Sequence, residues 1–118
     1  MRVYGLGLKG EEAAKRYLRK KGFKILDANY QCRFGEIDII AQKKETIVFC
    51  EVKTRSEGML ASPQESVDYF KQQRMIKTAQ IWLQAKGIDD RPLRFDVLAI
   101  TVSAGKAEIE HIENAIII

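Results

Sequence analysis

The chain has 118 residues, 46% of them hydrophobic and 31% charged, with a formal net charge of +4. That length builds one domain, residues 1–118, burying about two-thirds of its unfolded surface without disulfide staples. No apolar run approaches the roughly 20 residues that span a bilayer, and no signal-peptide core opens the chain, so no membrane association and a cytoplasmic location are expected.

Cys32 and Cys50 lack metal-type spacing, which argues for reduced thiols and against zinc. The positive charges cluster at Lys15-Arg16, Arg19–Lys21, Lys53/Arg55, Lys71/Arg74/Lys77 and Arg91/Arg94. Clustered positive charge suits a polyanionic partner, and it serves equally to keep a small domain soluble.

Ala14, Tyr17, Leu18 and Lys21 recur at helical spacing, which predicts an amphipathic helix over Gly10–Lys21 stopped by Gly22. Phe23–Arg33 changes to an extended period, with a bend near Asp27–Asn29. Ile37–Gln42 and Thr46–Arg55 read as strands joined through Lys43-Lys44-Glu45, followed by an irregular stretch from Ser56 to Ser62. Ser62-Pro63-Gln64-Glu65 has the form of a helix start, with Ser62 as cap, and that helix runs to Lys86 and stops at Gly87. Leu93–Val102 and Lys106–Ile112 form a second hairpin turning through Ser103-Ala104-Gly105. The order is α-β-β-β-α-β-β. The strands flanking the long helix are expected to lie parallel through a right-handed crossover, giving an α/β fold with a mixed five-stranded sheet flanked by helices.

Side chains alternate along a strand, so Phe49, Glu51, Lys53 and Arg55 share one face. If Lys44-Glu45 form a two-residue turn, Asp38 stands opposite Glu51; a three-residue loop would put it across from Cys50 instead. The two-residue turn is the expectation. Two carboxylates that close repel each other, but a hard divalent cation such as Mg²⁺ reverses the balance. Lys53 beside the ion would stabilise developing charge on a phosphodiester or help orient or deprotonate the attacking water. By spacing alone, the D…ExK pattern equally describes an exposed hairpin end with a Glu–Lys ion pair.

The segments "GEIDIIA", "VFCEVKTR", "VDYFKQQRMIKTAQIWL" and "RFDVLAI" resemble the YraN-like family of small bacterial proteins, over nearly the whole chain from "GEEAAKRYL" to "EHIENA". That family is assigned to the PD-(D/E)XK nuclease superfamily and is similar to archaeal Holliday-junction resolvases. The resemblance implies a restriction-endonuclease-like fold. It makes Asp38 and Glu51 metal-binding acids, the Val52 backbone carbonyl a further ligand, Lys53 the catalytic lysine and Mg²⁺ or Mn²⁺ the cofactor. It also implies a glutamate from the first helix. Glu11, in line with Ala14 and Leu18, is preferred to Glu12, which shares its face with Lys15, Arg16 and Arg19.

On the long helix, Gln72 falls with Met75, Ile76, Ala79 and Leu83 and either faces the sheet near its active end or only touches solvent. Lys71, Arg55 and Arg74 are expected at DNA phosphates. Asp96 matches the family pattern but is read as structural at a strand end, as is His111; Trp82 is read as core. Family members are often glycine-rich where this chain has "SEGMLASP", so this lid-like loop leaves the substrate geometry open.

The leading expectation is a metal-dependent endonuclease cutting DNA, with branched or recombining DNA as candidate substrates and a homodimer by analogy. The alternatives are a non-cleaving nucleic-acid-binding module and an adaptor in a DNA-processing complex that docks through the apolar tail Ile116–Ile118.

Overall fold

The computed structural model describes residues 3–56 and 69–116. The expected helix start at Ser62, the Glu57–Ser62 part of the loop and the end of the apolar tail lie outside them. The elements follow the expected order: α1 (Val3–Lys20), β1 (Lys24–Cys32), β2 (Gly35–Lys43), β3 (Thr46–Ser56), α2 (Tyr69–Lys86), β4 (Leu93–Ser103) and β5 (Lys106–Ile116). They form a single α/β domain. None of the described helices is long and apolar enough to cross a membrane.

Both helices end as their glycines dictate. After α1, Gly22 takes φ 92°, which costs nothing without a Cβ. The Gly22 N–H then donates to Arg19 O and the Phe23 N–H to Leu18 O, satisfying carbonyls the helix leaves orphaned. Gly87, at φ 67°, repeats the device after α2, with the Ile88 N–H donating to Leu83 O. α1 extends further toward the N-terminus than the stripe beginning at Gly10 required.

The sheet order is β1-β2-β3-β4-β5. β3 and β4, joined through α2, are parallel, and the other neighbours are antiparallel. Lys43 pairs with Thr46, so Lys44-Glu45 is a two-residue turn, with Lys44 at φ 55°. The Ala104-Gly105 turn has positive φ at both positions, the twist that suits a tight hairpin. The bend expected in β1 is a register shift between Ile25 and Asp27, close to Asn29 at φ 52°.

Alternation along the strands feeds two cores. Ile40, Ile47, Phe49, Phe95 and Val97 meet Met75, Ala79 and Trp82 of α2. Phe49 stacks on Phe95 at 5.2 Å between centroids and takes Trp82 edge-on at 6.0 Å. On the opposite face Ile39, Val48, Cys50, Leu98 and Ile100 meet Ala14 and Leu18 of α1. Trp82 is core, as expected, and its indole N–H donates to Asp27 Oδ2 at 2.9 Å, so the buried ring keeps a polar partner. Of the apolar tail Ile116–Ile118, Ile116 alone falls among the described residues. It closes β5 and is buried in the α2-side core, so burial of its own side chain explains the apolar residue there.

Candidate functional site

The β2–β3 ladder runs from Lys43↔Thr46 to Ile39↔Cys50. One step beyond are Asp38 and Glu51, where pairing stops and the Val52 N–H instead donates to Asp38 Oδ2 at 2.7 Å. Ile37 and Ile39 enter opposite cores although two residues apart, so the alternation of β2 breaks at Asp38. A backbone donor of β3 is thus satisfied by a side chain of β2, and the strands part at the level of the two acids.

Glu51 lies on the Phe49 face and is buried, with 7% of its surface exposed. Its Oε1 meets two ammonium groups, Lys53 Nζ at 3.1 Å and Lys71 Nζ of α2 at 2.6 Å. Burial, and next the charge of Glu51, push the Asp38 carboxyl up to about 7; Glu11 and Glu36 add repulsion, against the hydrogen bond from Val52. Burial and the adjoining Lys71 lower the pKa of Lys53. Burial opposes the charge on Lys71 most strongly, but the hydrogen bonds to Glu51 and Lys53 and the charges of Glu51 and Asp38 together outweigh it and raise the pKa. Gly35, Glu36, Glu51, Lys71, Arg74 and Met75 line a cleft of about 310 Å³ here.

The other expected positions divide. Glu11 is half-buried, accepts from Asn29 Nδ2 at 3.1 Å, and is near enough to raise the pKa of Asp38. Gln72 is half-buried, whereas the buried positions of α2 are Met75, Thr78, Ala79 and Trp82. The side chain that reaches Glu51 from α2 is therefore that of Lys71. Its spacing to Met75, Thr78 and Trp82 is itself a helical stripe, the signal that could have identified it. Arg74 is exposed at the cleft. Arg55 lies by a separate recess shared with Glu108 and Glu110 of β5. Among the described residues no three His, Cys, Asp or Glu side chains form a ready-made metal-binding group.

Away from this site, Asp96 is buried and accepts from Arg94 Nε at 2.9 Å and from the Asn114 N–H at 3.1 Å, and it lies 2.6 Å from His111 Nε2. Tyr17 Oη lies 3.0 Å from His111 Nδ1, tying α1 to the cluster. Burial raises the Asp96 carboxyl, but His111, Arg94 and Asn114 together outweigh it and hold its pKa below the ordinary range. The register of β4 and β5 shifts between Phe95 and Val97, so Asp96 satisfies backbone that the ladder leaves out. Asp96 and His111 are structural, as expected from their positions.

The description "Uncharacterised protein family UPF0102" matches residues 10–100. UPF0102 proteins of Alkaliphilus oremlandii and Geobacter metallireducens are 48% and 49% identical, over 93% of this chain and 96% and 90% of theirs. A third, from Caldanaerobacter subterraneus subsp. tengcongensis, is 42% identical over 93% of each chain. Among solved structures, Pyrococcus furiosus SfsA in complex with Ca²⁺ matches at a TM-score of 0.45 and 14% identity, over 95% of this chain and 64% of that one, a likeness too loose to assign a function. With the family motif spanning both helices and four of the five strands, and near-full-length relatives well above 40% identity, the chain belongs to the UPF0102 family, the YraN-like family its segments resemble.

Proposed function

We propose that this chain is a metal-dependent endonuclease that hydrolyses DNA phosphodiesters. The observations that support it are Glu51 paired with Lys53 and with a second lysine, Lys71, and Asp38 accepting from the Val52 N–H where the pairing of β2 with β3 stops. Two hard carboxylates and the Val52 carbonyl suit Mg²⁺ or Mn²⁺, which would displace the Lys71 ammonium from Glu51. Those three groups would hold the ion, with Glu11 reaching it from the α1 side. When bound, the ion would polarise the phosphate and lower the pKa of an attached water.

The chain's own residues supply the rest. Lys53, with a lowered pKa, would orient or deprotonate the attacking water or neutralise charge on the phosphate. The water oxygen bonds to phosphorus as the bridging P–O bond breaks. Lys71, Arg74 and Arg55 are the candidates for phosphate contacts, and Gln72 is a supporting residue. Branched or recombination DNA is the candidate substrate, and a homodimer would serve to cut two strands.

The test is a panel of linear, flapped, forked and four-way DNA with Mg²⁺ or Mn²⁺, beside Asp38→Asn and Lys53→Ala. Cleavage lost in both folded variants is expected, and cleavage unchanged in both rules the assignment out. The double pairing of Glu51 with lysines favours one second reading, a module that binds DNA without cutting it. Metal-independent, salt-sensitive binding with no cleavage of any substrate would establish that role.

A further inference from the structure

Two large aromatic side chains stand in the open at the start of α2, next along the chain to Lys71. Tyr69 and Phe70 are 66% and 72% exposed and touch edge-to-face at 5.7 Å between centroids. Both lie within one helical turn of Lys71, whose ammonium is on Glu51. Exposed aromatics at a buried, charged site serve neither core nor solubility.

Their surroundings name the ligand. Phe70, Arg74 and Lys77 follow at helical i, i+4, i+7 spacing, so they form one exposed stripe. Among the described residues neither basic side chain makes a salt bridge. Lys77 Nζ lies 5.0 Å from the ring centroid of Phe34, and the Arg33 guanidinium approaches the same ring at 4.8 Å. The stripe therefore runs aromatic, basic, basic, aromatic. An apolar protein partner would be met by three cations here, and stacked duplex bases offer their faces to no side chain. Unpaired nucleotides offer both a flat face for each ring and a phosphate for each cation.

We propose that Tyr69 and Phe70 form a stacking platform for unpaired bases, with Arg74, Lys77 and Arg33 tracking the phosphates, so that the protein engages DNA at single-stranded segments. This rests on the nuclease reading only for its place in the reaction, since the platform would deliver an unpaired strand to the Glu51 cleft.

The test is metal-free binding by the full chain, in Asp38→Asn so that cleavage plays no part, to a fluorescein-labelled oligothymidylate and to a blunt duplex of equal length. Tyr69→Ala/Phe70→Ala should weaken the single strand by about tenfold or more while moving the duplex less than about twofold. Phe70→Trp should retain affinity, and a 2-aminopurine in the oligonucleotide should be quenched by the parent protein and not by the double alanine variant. Equal losses on both DNAs, or unchanged affinity for the single strand, overturn the platform; the latter is the outcome if the aromatics meet a protein instead. Failure of the nuclease reading is separate. It appears as absent cleavage by the wild-type chain while the binding preference persists.

Discussion

The ammonium of Lys71 lies closer to Glu51 Oε1, at 2.6 Å, than that of Lys53, at 3.1 Å. Two cations on one buried oxygen leave Glu51 neutralised from two directions, from its own strand and from α2. Any incoming cation competes with the helix-borne charge. Lys71→Met should therefore tighten Mn²⁺ binding by about fivefold to tenfold, roughly 1 to 1.4 kcal/mol, as measured by calorimetry. Unchanged or weaker Mn²⁺ binding would show that Lys71 does not compete for this place.

Asp38 gives a pH dependence whose sign follows from its raised pKa. An unfolded aspartate titrates near 3.9, whereas the folded group holds its proton to about 7. Between those values the folded chain binds a proton the unfolded chain has lost, so stability falls as pH rises through the window. Asp38→Asn removes that cost. Its stability advantage over wild type should grow by about 3 kcal/mol from pH 4.5 to pH 8 without divalent cations, read from thermal melts. A difference that stays constant with pH would contradict the assigned environment.

The buried cluster around Asp96 makes the opposite prediction. With its folded pKa lowered, Asp96 contributes stability that is present above the ordinary carboxylate range and lost as pH falls through the folded value. His111→Leu should cost about 2–4 kcal/mol at pH 7, with the penalty shrinking in acid. Adding Asp96→Asn should recover part of the loss, because a buried amide is cheaper than a buried carboxylate that has lost one hydrogen-bond partner. Chemical denaturation at several pH values measures both; a loss with no pH dependence would mean lost side-chain contacts dominate.

Gly10 is buried in α1 where a Cβ would collide with the Thr54 hydroxyl and stand 3.2 Å from its Cβ and Cγ2. Alanine gains about 1 kcal/mol of helix propensity, but overpacking costs about 1–3, and a β-branched neighbour yields little. Gly10→Ala should destabilise by about 1 kcal/mol, and Thr54→Ala in the same chain should relieve part of it. A stabilised Gly10→Ala would show that α1 can lift from β3 without cost.

Why some of this was legible and some was not follows from sequence distance. The register of β2 against β3 is a local consequence of turn length, since a two-residue turn settles which positions oppose as far as Ile39 and Cys50. The helix stops follow from single glycines. What alternation could not supply is the break at Asp38, which exists because a side chain replaced a ladder partner. Lys71 was expected at phosphate, since its charge is plain in the sequence but the phase of α2 against the sheet is a tertiary matter. Tyr17 and His111 are 94 positions apart, and no local pattern joins them. Ile116 was read with the apolar tail, and its burial against residues far along the chain is a tertiary matter.

β3 is the third of five strands, flanked by β2 and β4 and covered on its two faces by different cores. The amides of Val48, Phe49 and Cys50, paired on both sides, therefore have no small local opening that frees them, and their exchange with deuterated solvent should proceed only when the sheet as a whole comes apart. Lys71 rides on a helix that covers one face alone. Its half of the Glu51 contact is therefore set by how the helix packs on the sheet, and the carboxylate's half by the strand alone.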